Sequence, residues 1–289
     1  MSTRRIGLIG AGMMGAGMAK RLIGAGHDVR VLAHRNRGSV DALLAMGARE
    51  AADAVDLLRD CDVLLTCLPN ADVVSDLTVQ LVPAFRQDQI WIDTSTSRPE
   101  TSKRLAEKLT AQGAAFADAP VTGGPPQARE GTLISLVGCA EADFAAVTEI
   151  AGTYSRAVRR FGAPGTGHAA KLLNNLVSQG TLVLLADAFQ GAARLGVDAR
   201  TLFDVMQMGA ARSGTLEKAV GPALDGDYGG AQFSIANAAK DLRYARDLLT
   251  DATPDRTGLA AALTDRLQEL VAQGHGDAFV SSMLKPETP

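Results

Sequence analysis

The sequence is short of the residues that mark several classes of protein. Aromatic residues make up only 4% of its 289 residues, which argues against an aromatic binding surface. The three cysteines, Cys61, Cys67 and Cys139, form neither a C-x-x-C pair nor a zinc-ligand spacing. We therefore expect reduced, mostly buried thiols. The four histidines are scattered without ligand spacing, so the sequence indicates no metal site.

Charge and hydropathy argue against two further classes of partner. The net charge of -3 gives no bulk attraction to nucleic acid or to an anionic membrane. The sequence has no run of about 18 apolar residues that could span a bilayer. Arg4 and Arg5 lead straight into an apolar strand, with no signal-peptide cleavage pattern. We expect a cytoplasmic protein with neither nucleic acid nor membrane as partner.

A glycine-rich turn near the N-terminus is the clearest motif that is present. Residues 6–9 form an apolar strand, residues 16–23 have helical spacing, and a G-x-G-x-x-G turn joins them. The turn consists of Gly10, Ala11, Gly12, Met13, Met14 and Gly15. Such a turn brings the N–H groups at the start of a helix to a pyrophosphate. The pattern predicts a dinucleotide site, and a purely structural turn is the alternative.

The organisation of the chain changes near residue 163. Apolar strands and helical segments alternate up to Phe161, which predicts a Rossmann-type α/β domain with a parallel sheet over residues 1–163. A helical pattern then runs from Gly167 to Leu195, and shorter helices follow, so residues 164–289 form an all-α domain. The long helix is apolar around much of its circumference. We infer that it joins the domains and packs in a homodimer or homotetramer.

The residues after the second strand bear on the choice of cofactor. NAD-specific folds place a carboxylate there, but this chain reads His34, Arg35, Asn36 and Arg37. The two guanidinium groups suit the 2′-phosphate of NADP. We therefore expect NADP in preference to NAD, with NAD still possible. A solvated basic turn is the alternative.

Three further segments resemble the β-hydroxyacid dehydrogenase family. They are the D-A-P-V-T-G-G sequence of residues 118–124, the G-T-G-H-A-A-K-L-L-N-N sequence of residues 165–175, and Phe233 followed by Lys240-Asp241-Leu242. With the glycine-rich turn, they match that family in order and spacing along the whole chain. The resemblance implies a Rossmann-type domain and a helical domain with the active site in the cleft between them. It also implies reversible hydride transfer between NAD(P) and a small carboxylate-bearing aldehyde or hydroxyacid.

The family assigns the central catalytic role to the lysine at the Lys171 position. Hydride addition to an aldehyde builds negative charge on its oxygen, and an ammonium group can supply the proton needed there. By resemblance Asn175, or less favourably Asn174, orients the lysine or the substrate. A solvated lysine and a core or capping amide are the alternatives. His168, one turn before Lys171, either shifts the pKa of the lysine or, as we expect, is a neutral residue at the helix start.

The resemblance also implies contacts with substrate and cofactor. Thr122, Gly123 and Gly124 offer a hydroxyl and exposed N–H groups to a substrate carboxylate; the family usually has serine at the Thr122 position. The implied cofactor contacts are Leu68, Pro69, Thr96 and Lys240. Lys240 would otherwise be a surface charge.

Two segments depart from the family pattern or vary within it. The stretch from Gly274 to Val280 lacks a residue that the family usually has, which weakens any transfer of roles to that end. Arg212 lies in a region that varies with substrate, where it either meets a second acidic group or is a solvated charge. An NADPH-dependent imine reductase and a non-catalytic nucleotide sensor are the alternative functions, although imine reductases typically replace the lysine.

Overall fold

The computed structural model describes residues 3–34, 37–254 and 257–285. The chain divides into two compact units, Met1–Lys171 and Leu172–Pro289. This division lies after the Gly-Ala-Pro-Gly turn near residue 163 at which the sequence predicted it, because the long helix α8 (Thr166–Leu195) begins within the first unit.

The first unit is built on one sheet. Its strands are β1 (Arg5–Ile9), β2 (Asp28–Leu32), β3 (Arg49–Ala51), β4 (Val63–Thr66), β5 (Ile90–Asp93), β6 (Ala115–Asp118), β7 (Val121–Thr122), β8 (Leu133–Gly138) and β9 (Ser155–Gly162). The parallel strands follow the order β3-β2-β1-β4-β5-β6, which is the Rossmann arrangement and confirms the predicted fold class. β8 corrects the purely parallel prediction, because it pairs antiparallel with β6 and β7.

Helices cover both faces of the sheet. In the first unit they are α1 (Met13–Gly24), α2 (Arg37–Leu44), α3 (Ala54–Arg59), α4 (Ala71–Leu81), α5 (Pro99–Thr110), α6 (Pro125–Glu130) and α7 (Phe144–Ala151). Side chains of β4 alternate between two cores: Val63 and Leu65 belong to one, and Leu64 packs with Trp91 in the other. A parallel strand covered on both faces reads as a nearly continuous apolar run, as the first three residues of β4 do.

The second unit is helical over the residues that the structure describes. After α8 come α9 (Ala199–Met208), α10 (Gly221–Leu224), α11 (Ile235–Ala252) and α12 (Gly258–Leu270), with π-helical turns at Leu216–Val220 and Val271–His275 and a 3₁₀ turn at Val280–Leu284. Leu182, Leu242 and Leu267 are among the buried residues of its core. By length and composition alone α8 could cross a membrane, and 44% of its most apolar window is buried inside the protein.

Helix α5 begins without a side-chain cap. Its N-cap is Arg98, whose side chain makes no capping hydrogen bond. Pro99 at the first helical position fixes the start instead, because its locked φ suits a helix and it has no N–H to satisfy.

Candidate functional site

The glycine-rich turn follows β1 at the point where the strand order reverses. β1 pairs with β2 on one side and β4 on the other, and dinucleotides bind outside the carboxyl ends of strands at such a point. Two of the glycines are required by the protein itself. A Cβ at Gly10, where φ is +102°, would overlap the carbonyl oxygen of Cys67, and one at Gly15 would overlap that of Gly10.

Gly12 differs from its neighbours because the protein does not need it to be glycine. A Cβ there would meet no atom within 4 Å. Gly12 is the N-cap of α1, and α1 has neither a side-chain cap nor an acidic residue in its first turn. Its first N–H groups therefore face an open cradle beside the exposed Met13. This arrangement fits the pyrophosphate of a dinucleotide, held by N–H groups at the positive end of the helix.

The loops after β4 and β5 are joined by a hydrogen bond. The backbone N–H of Leu68 donates to Ser95 Oγ at 2.8 Å. Pro69 beside it is exposed, and Thr96 is partly buried. Leu68 and Thr96, predicted as cofactor contacts from separate segments, thus lie on neighbouring, connected loops at the carboxyl edge of the sheet.

The basic segment after β2 is only partly described. Arg35 and Asn36 lie outside the described residues, and His34 is exposed. The Arg37 guanidinium already donates to Glu50 at 2.8 and 3.0 Å and to Asp41 at 3.1 Å. A 2′-phosphate would have to compete with both carboxylates, although exposed ion pairs of this kind contribute only about 0–1 kcal/mol.

We expect Arg37→Ala to weaken NADPH binding about 3- to 10-fold relative to NADH, because only NADPH carries the 2′-phosphate. Dissociation constants from quenching of protein fluorescence measure this ratio. Arg49→Ala is the matched control, since Arg49 is equally exposed and pairs with Asp28. An equal loss of affinity for both cofactors would assign Arg37 a structural role alone.

The turn at Thr122 is tighter than the sequence indicates. Thr122 pairs with Ile134 as the end of β7, and Gly123 has a φ of +121°, which favours glycine. The N–H of Gly124, expected to be available to a substrate carboxylate, instead donates to Gln127 Oε1 at 2.8 Å. That expectation was wrong because Gly124 begins α6 and Gln127 caps it. The Thr122 hydroxyl and the N–H of the exposed Gly123 remain as candidate donors to a carboxylate.

The start of α8 is anchored by a buried carboxylate at the end of β6. Asp118 Oδ1 accepts the N–H of Gly165 and Oδ2 that of His168, both at 2.6 Å. Burial raises the pKa of Asp118, against the lowering effect of His168 and of these N–H groups. Gly167 allows the close approach, because a Cβ there would lie 2.6 Å from the carbonyl oxygen of Asp118. Lys171, one turn further along, is partly buried.

The second unit assembles a different polar group. Asn175 is 4% exposed, and its Nδ2 donates to Asp241 Oδ2 at 2.6 Å. Lys240 Nζ lies 3.1 Å from Asp241 Oδ1, and only 15% of the Lys240 side chain is exposed. Asn174 Nδ2 donates to Asn175 Oδ1 at 3.3 Å. Lys240 is therefore a largely buried ion-pair partner rather than a surface charge.

Asp241 was named only as part of the Lys240-Asp241-Leu242 segment, and no role was predicted for it. It is 1% exposed, and it holds both Asn175 and Lys240. The sequence does indicate that Asp241 is paired, because burying a carboxylate in an apolar helix face costs free energy unless a neighbouring group compensates its charge. Its partner Asn175 lies on another helix, which the sequence pattern does not reveal.

Arg212 and the cysteines are the remaining residues that the sequence singled out. Arg212 is 67% exposed in its side chain and donates to Glu217 at 3.0 Å. Burial raises the pKa of the Cys61 and Cys139 thiols to about 11, so both stay protonated at neutral pH. Among the described residues, no group of three His, Cys, Asp or Glu side chains could hold a metal.

Two family models match the chain. Residues 5–162 match the NAD-binding domain of 6-phosphogluconate dehydrogenase, and residues 165–286 match the NAD-binding domain of NADP-dependent 3-hydroxyisobutyrate dehydrogenase. A mitochondrial 3-hydroxyisobutyrate dehydrogenase of Drosophila melanogaster is 35% identical, with 84% of this chain and 76% of the relative covered.

Solved structures give the same picture. The Mycobacterium tuberculosis 3-hydroxyisobutyrate dehydrogenase with L-serine has a TM-score of 0.88 at 28% identity, covering 98% of both chains. Psf3 in complex with NADP+ and 2-OPP has a TM-score of 0.85 at 26% identity, covering 96% of this chain and 98% of that one. An imine reductase from Pseudomonas sp., at 19% identity and a TM-score of 0.63, shares the fold alone.

Proposed function

The chain belongs to the β-hydroxyacid dehydrogenase family, and from that premise we propose which aldehydes it reduces and which residues do so. It is an NAD(P)-dependent oxidoreductase of the β-hydroxyacid dehydrogenase type, with NADP as cofactor and NAD possible. The proposed reaction is the reversible reduction of a small semialdehyde that carries a carboxylate. The observation that carries this proposal is the start of α8, where Asp118 anchors Gly165 and His168, with the partly buried Lys171 one turn beyond His168.

Lys171 is proposed as the general acid of the reduction. When bound, the nicotinamide supplies the hydride to the carbonyl carbon. Lys171 Nζ donates a proton to the carbonyl oxygen as negative charge develops there, and in the reverse direction it accepts the hydroxyl proton. A side chain on an anchored helix turn loses little freedom when it takes up this position, which supports the assignment.

Asn175 is proposed to orient the reacting groups. Its Nδ2 is already bound to Asp241, and its carbonyl oxygen, which accepts from Asn174 Nδ2, has a second lone pair that can accept from an ammonium or a hydroxyl. It follows Lys171 by one turn of the same helix. Asn174, which is exposed, is the less favoured candidate for the same role.

The substrate carboxylate is proposed to bind Thr122 Oγ1 and the N–H of Gly123. A hydroxyl donor beside a positive-φ glycine suits a carboxylate oxygen. Gly124 serves as the cap of α6 rather than as a donor to substrate. Arg212 contributes to a second acidic group only if it leaves Glu217, so we assign it no role in binding a monocarboxylate.

Initial rates of NADPH oxidation across a substrate panel test the proposal. The panel contains glyoxylate and the succinic, methylmalonate and tartronate semialdehydes, each compared with an uncharged ester of the same aldehyde. We expect at least one acid to be turned over with kcat/KM about 10²-fold above its ester, since the ester oxygens lack the negative charge that strengthens both hydrogen bonds. Equal rates for acid and ester would refute carboxylate recognition.

An oligomer and a cytoplasmic location are also proposed. Leu173, Val177 and Leu184 lie on α8 with 44%, 70% and 57% of their surface exposed, which supports packing against a second copy. The three cysteines are free, which supports a reducing compartment.

We expect Val177→Glu to convert a homodimer or homotetramer into smaller species, because a charge in an apolar interface stays unpaired. Light scattering coupled to size exclusion measures the molar mass. The control is Val79→Glu, because Val79 lies on α4 and is 78% exposed. A wild-type protein of monomeric mass would contradict the oligomer.

A further inference from the structure

His168 is a fully buried histidine with a hydrogen-bond partner on each ring nitrogen. Nε2 lies 3.0 Å from the carbonyl oxygen of Ser95, and Nδ1 lies 2.7 Å from Ser102 Oγ. A carbonyl only accepts, so Nε2 carries the hydrogen. Nδ1 and the Ser102 hydroxyl form the second hydrogen bond, so both ring nitrogens are satisfied.

The ring lies between two buried carboxylates. Asp118 Oδ2 accepts the backbone N–H of His168 and lies 3.8 Å from Nδ1. Asp93 Oδ2 lies 3.8 Å from Nε2, and among the described residues it has no hydrogen-bond partner. Asp93 Oδ1 accepts from Thr66 Oγ1 and from the N–H of Ser95, which fixes the loop that His168 contacts.

Ser95 connects this histidine to the cofactor side of the first unit. Its Oγ accepts the N–H of Leu68, in the loop after β4. Its carbonyl accepts from His168, in the first turn of α8. Lys171 follows three residues later on that helix. One chain of hydrogen bonds therefore runs from the loop beside the glycine-rich turn to the turn that carries Lys171.

We propose that His168 is a positioning residue that locks the first turn of α8 to the loops after β4 and β5 and so holds Lys171 in register for proton transfer. The last step rests on the proposed function, while the locking of the turn does not. A residue that only filled the core would contribute to folding without affecting turnover by the folded enzyme.

Three variants separate these possibilities. His168→Phe removes both ring hydrogen bonds and keeps a ring in the space, and Ser102→Ala removes the bond to Nδ1 alone. His27→Phe is the matched control, because His27 is also buried in the first unit, with Nδ1 bound to the N–H of Arg4. Each variant is measured for kcat per NADPH-binding site, for NADPH affinity, and for hydrogen exchange of amides 165–171 with NADPH bound.

We expect His168→Phe to lower kcat about 30-fold and Ser102→Ala about 3-fold, with NADPH affinity changed less than about 3-fold in both. The first-turn amides should exchange about tenfold faster in His168→Phe and remain protected in His27→Phe. An unchanged kcat per binding site with unchanged exchange would overturn the proposal. So would equal losses in His27→Phe.

Two further outcomes are separable. If the wild type reduces none of the aldehydes, the proposed function fails, and hydrogen exchange alone decides whether His168 locks the turn. If His168→Phe does not fold, His168→Gln decides, because its amide can still donate toward the Ser95 carbonyl. Ser102→Ala keeps that bond as well, so protection of amides 165–171 retained in both variants would support the lock, and protection lost in both would overturn it.

Discussion

Replacing Lys171 with methionine is expected to lower kcat/KM for aldehyde reduction about 10³-fold. Methionine has similar length and no proton to donate, so the charge on the carbonyl oxygen develops without an acid beside it. Lys171 is assigned to proton transfer rather than to holding the cofactor. NADPH affinity should therefore change less than about twofold, which is about 0.4 kcal/mol of binding free energy. Steady-state kinetics and a fluorescence titration measure the two quantities.

Lys108→Met is the control for this loss. Lys108 is an exposed lysine in the last turn of α5, so its replacement removes a positive charge from the same unit at a surface position. It should retain wild-type kinetics. A Lys171→Met enzyme with more than about a tenth of wild-type activity would mean that another group or water supplies the proton, since general acids contribute at least about 10²-fold.

Gly15→Ala is expected to lose stability, whereas Gly12→Ala is expected to lose NADPH affinity. A Cβ at Gly15 overlaps the Gly10 carbonyl oxygen, which is a backbone atom and cannot move aside easily, so the free energy of unfolding should fall by more than about 3 kcal/mol. A Cβ at Gly12 meets no protein atom, so stability should change by less than about 0.5 kcal/mol.

For NADPH affinity we expect the opposite: Gly12→Ala loses more than its stability change would suggest. Alanine at Gly12 fills the cradle in front of the first N–H groups of α1, and NADPH affinity should fall at least about tenfold. Urea unfolding and NADPH titration of both variants, with Gly24→Ala as a control that likewise meets no atom within 4 Å, check the prediction. Wild-type NADPH affinity in Gly12→Ala would place the pyrophosphate away from this turn.

The sequence predicted the parts of the fold that depend on local pattern. The strand, glycine turn and helix at residues 5–24 follow from apolar spacing and from glycines that only a tight turn explains. Helix α8, predicted from Gly167 to Leu195, begins one residue earlier at Thr166 and ends at the predicted residue. The two-residue strand β7 was not predicted, because its pairing with β8 depends on tertiary contact rather than on its own pattern.

The polar contacts within the site depend on residues far apart in the chain. Asp118 and His168 are fifty residues apart, and Asn175 and Asp241 sixty-six. Neither pair can be inferred from spacing along one element. The Gly124 N–H was predicted as a ligand contact from the family resemblance and the Arg37 guanidinium from its position after β2, whereas Gln127 and the pair Glu50 and Asp41 engage them. Their partners are fixed by the fold, which single residue types do not specify.

The central claim is hydride transfer from NADPH to the carbonyl carbon of a small carboxylate-bearing aldehyde. The most direct measurement is a reaction of the wild type with [4,4-²H₂]NADPH and the best aldehyde of the panel, followed by mass spectrometry of the product. The account predicts a hydroxyacid with one deuterium on the carbinol carbon, formed in equal amount to the NADPH consumed. NADPH oxidation without a hydroxyacid, or a hydroxyacid without deuterium at that carbon, would contradict it.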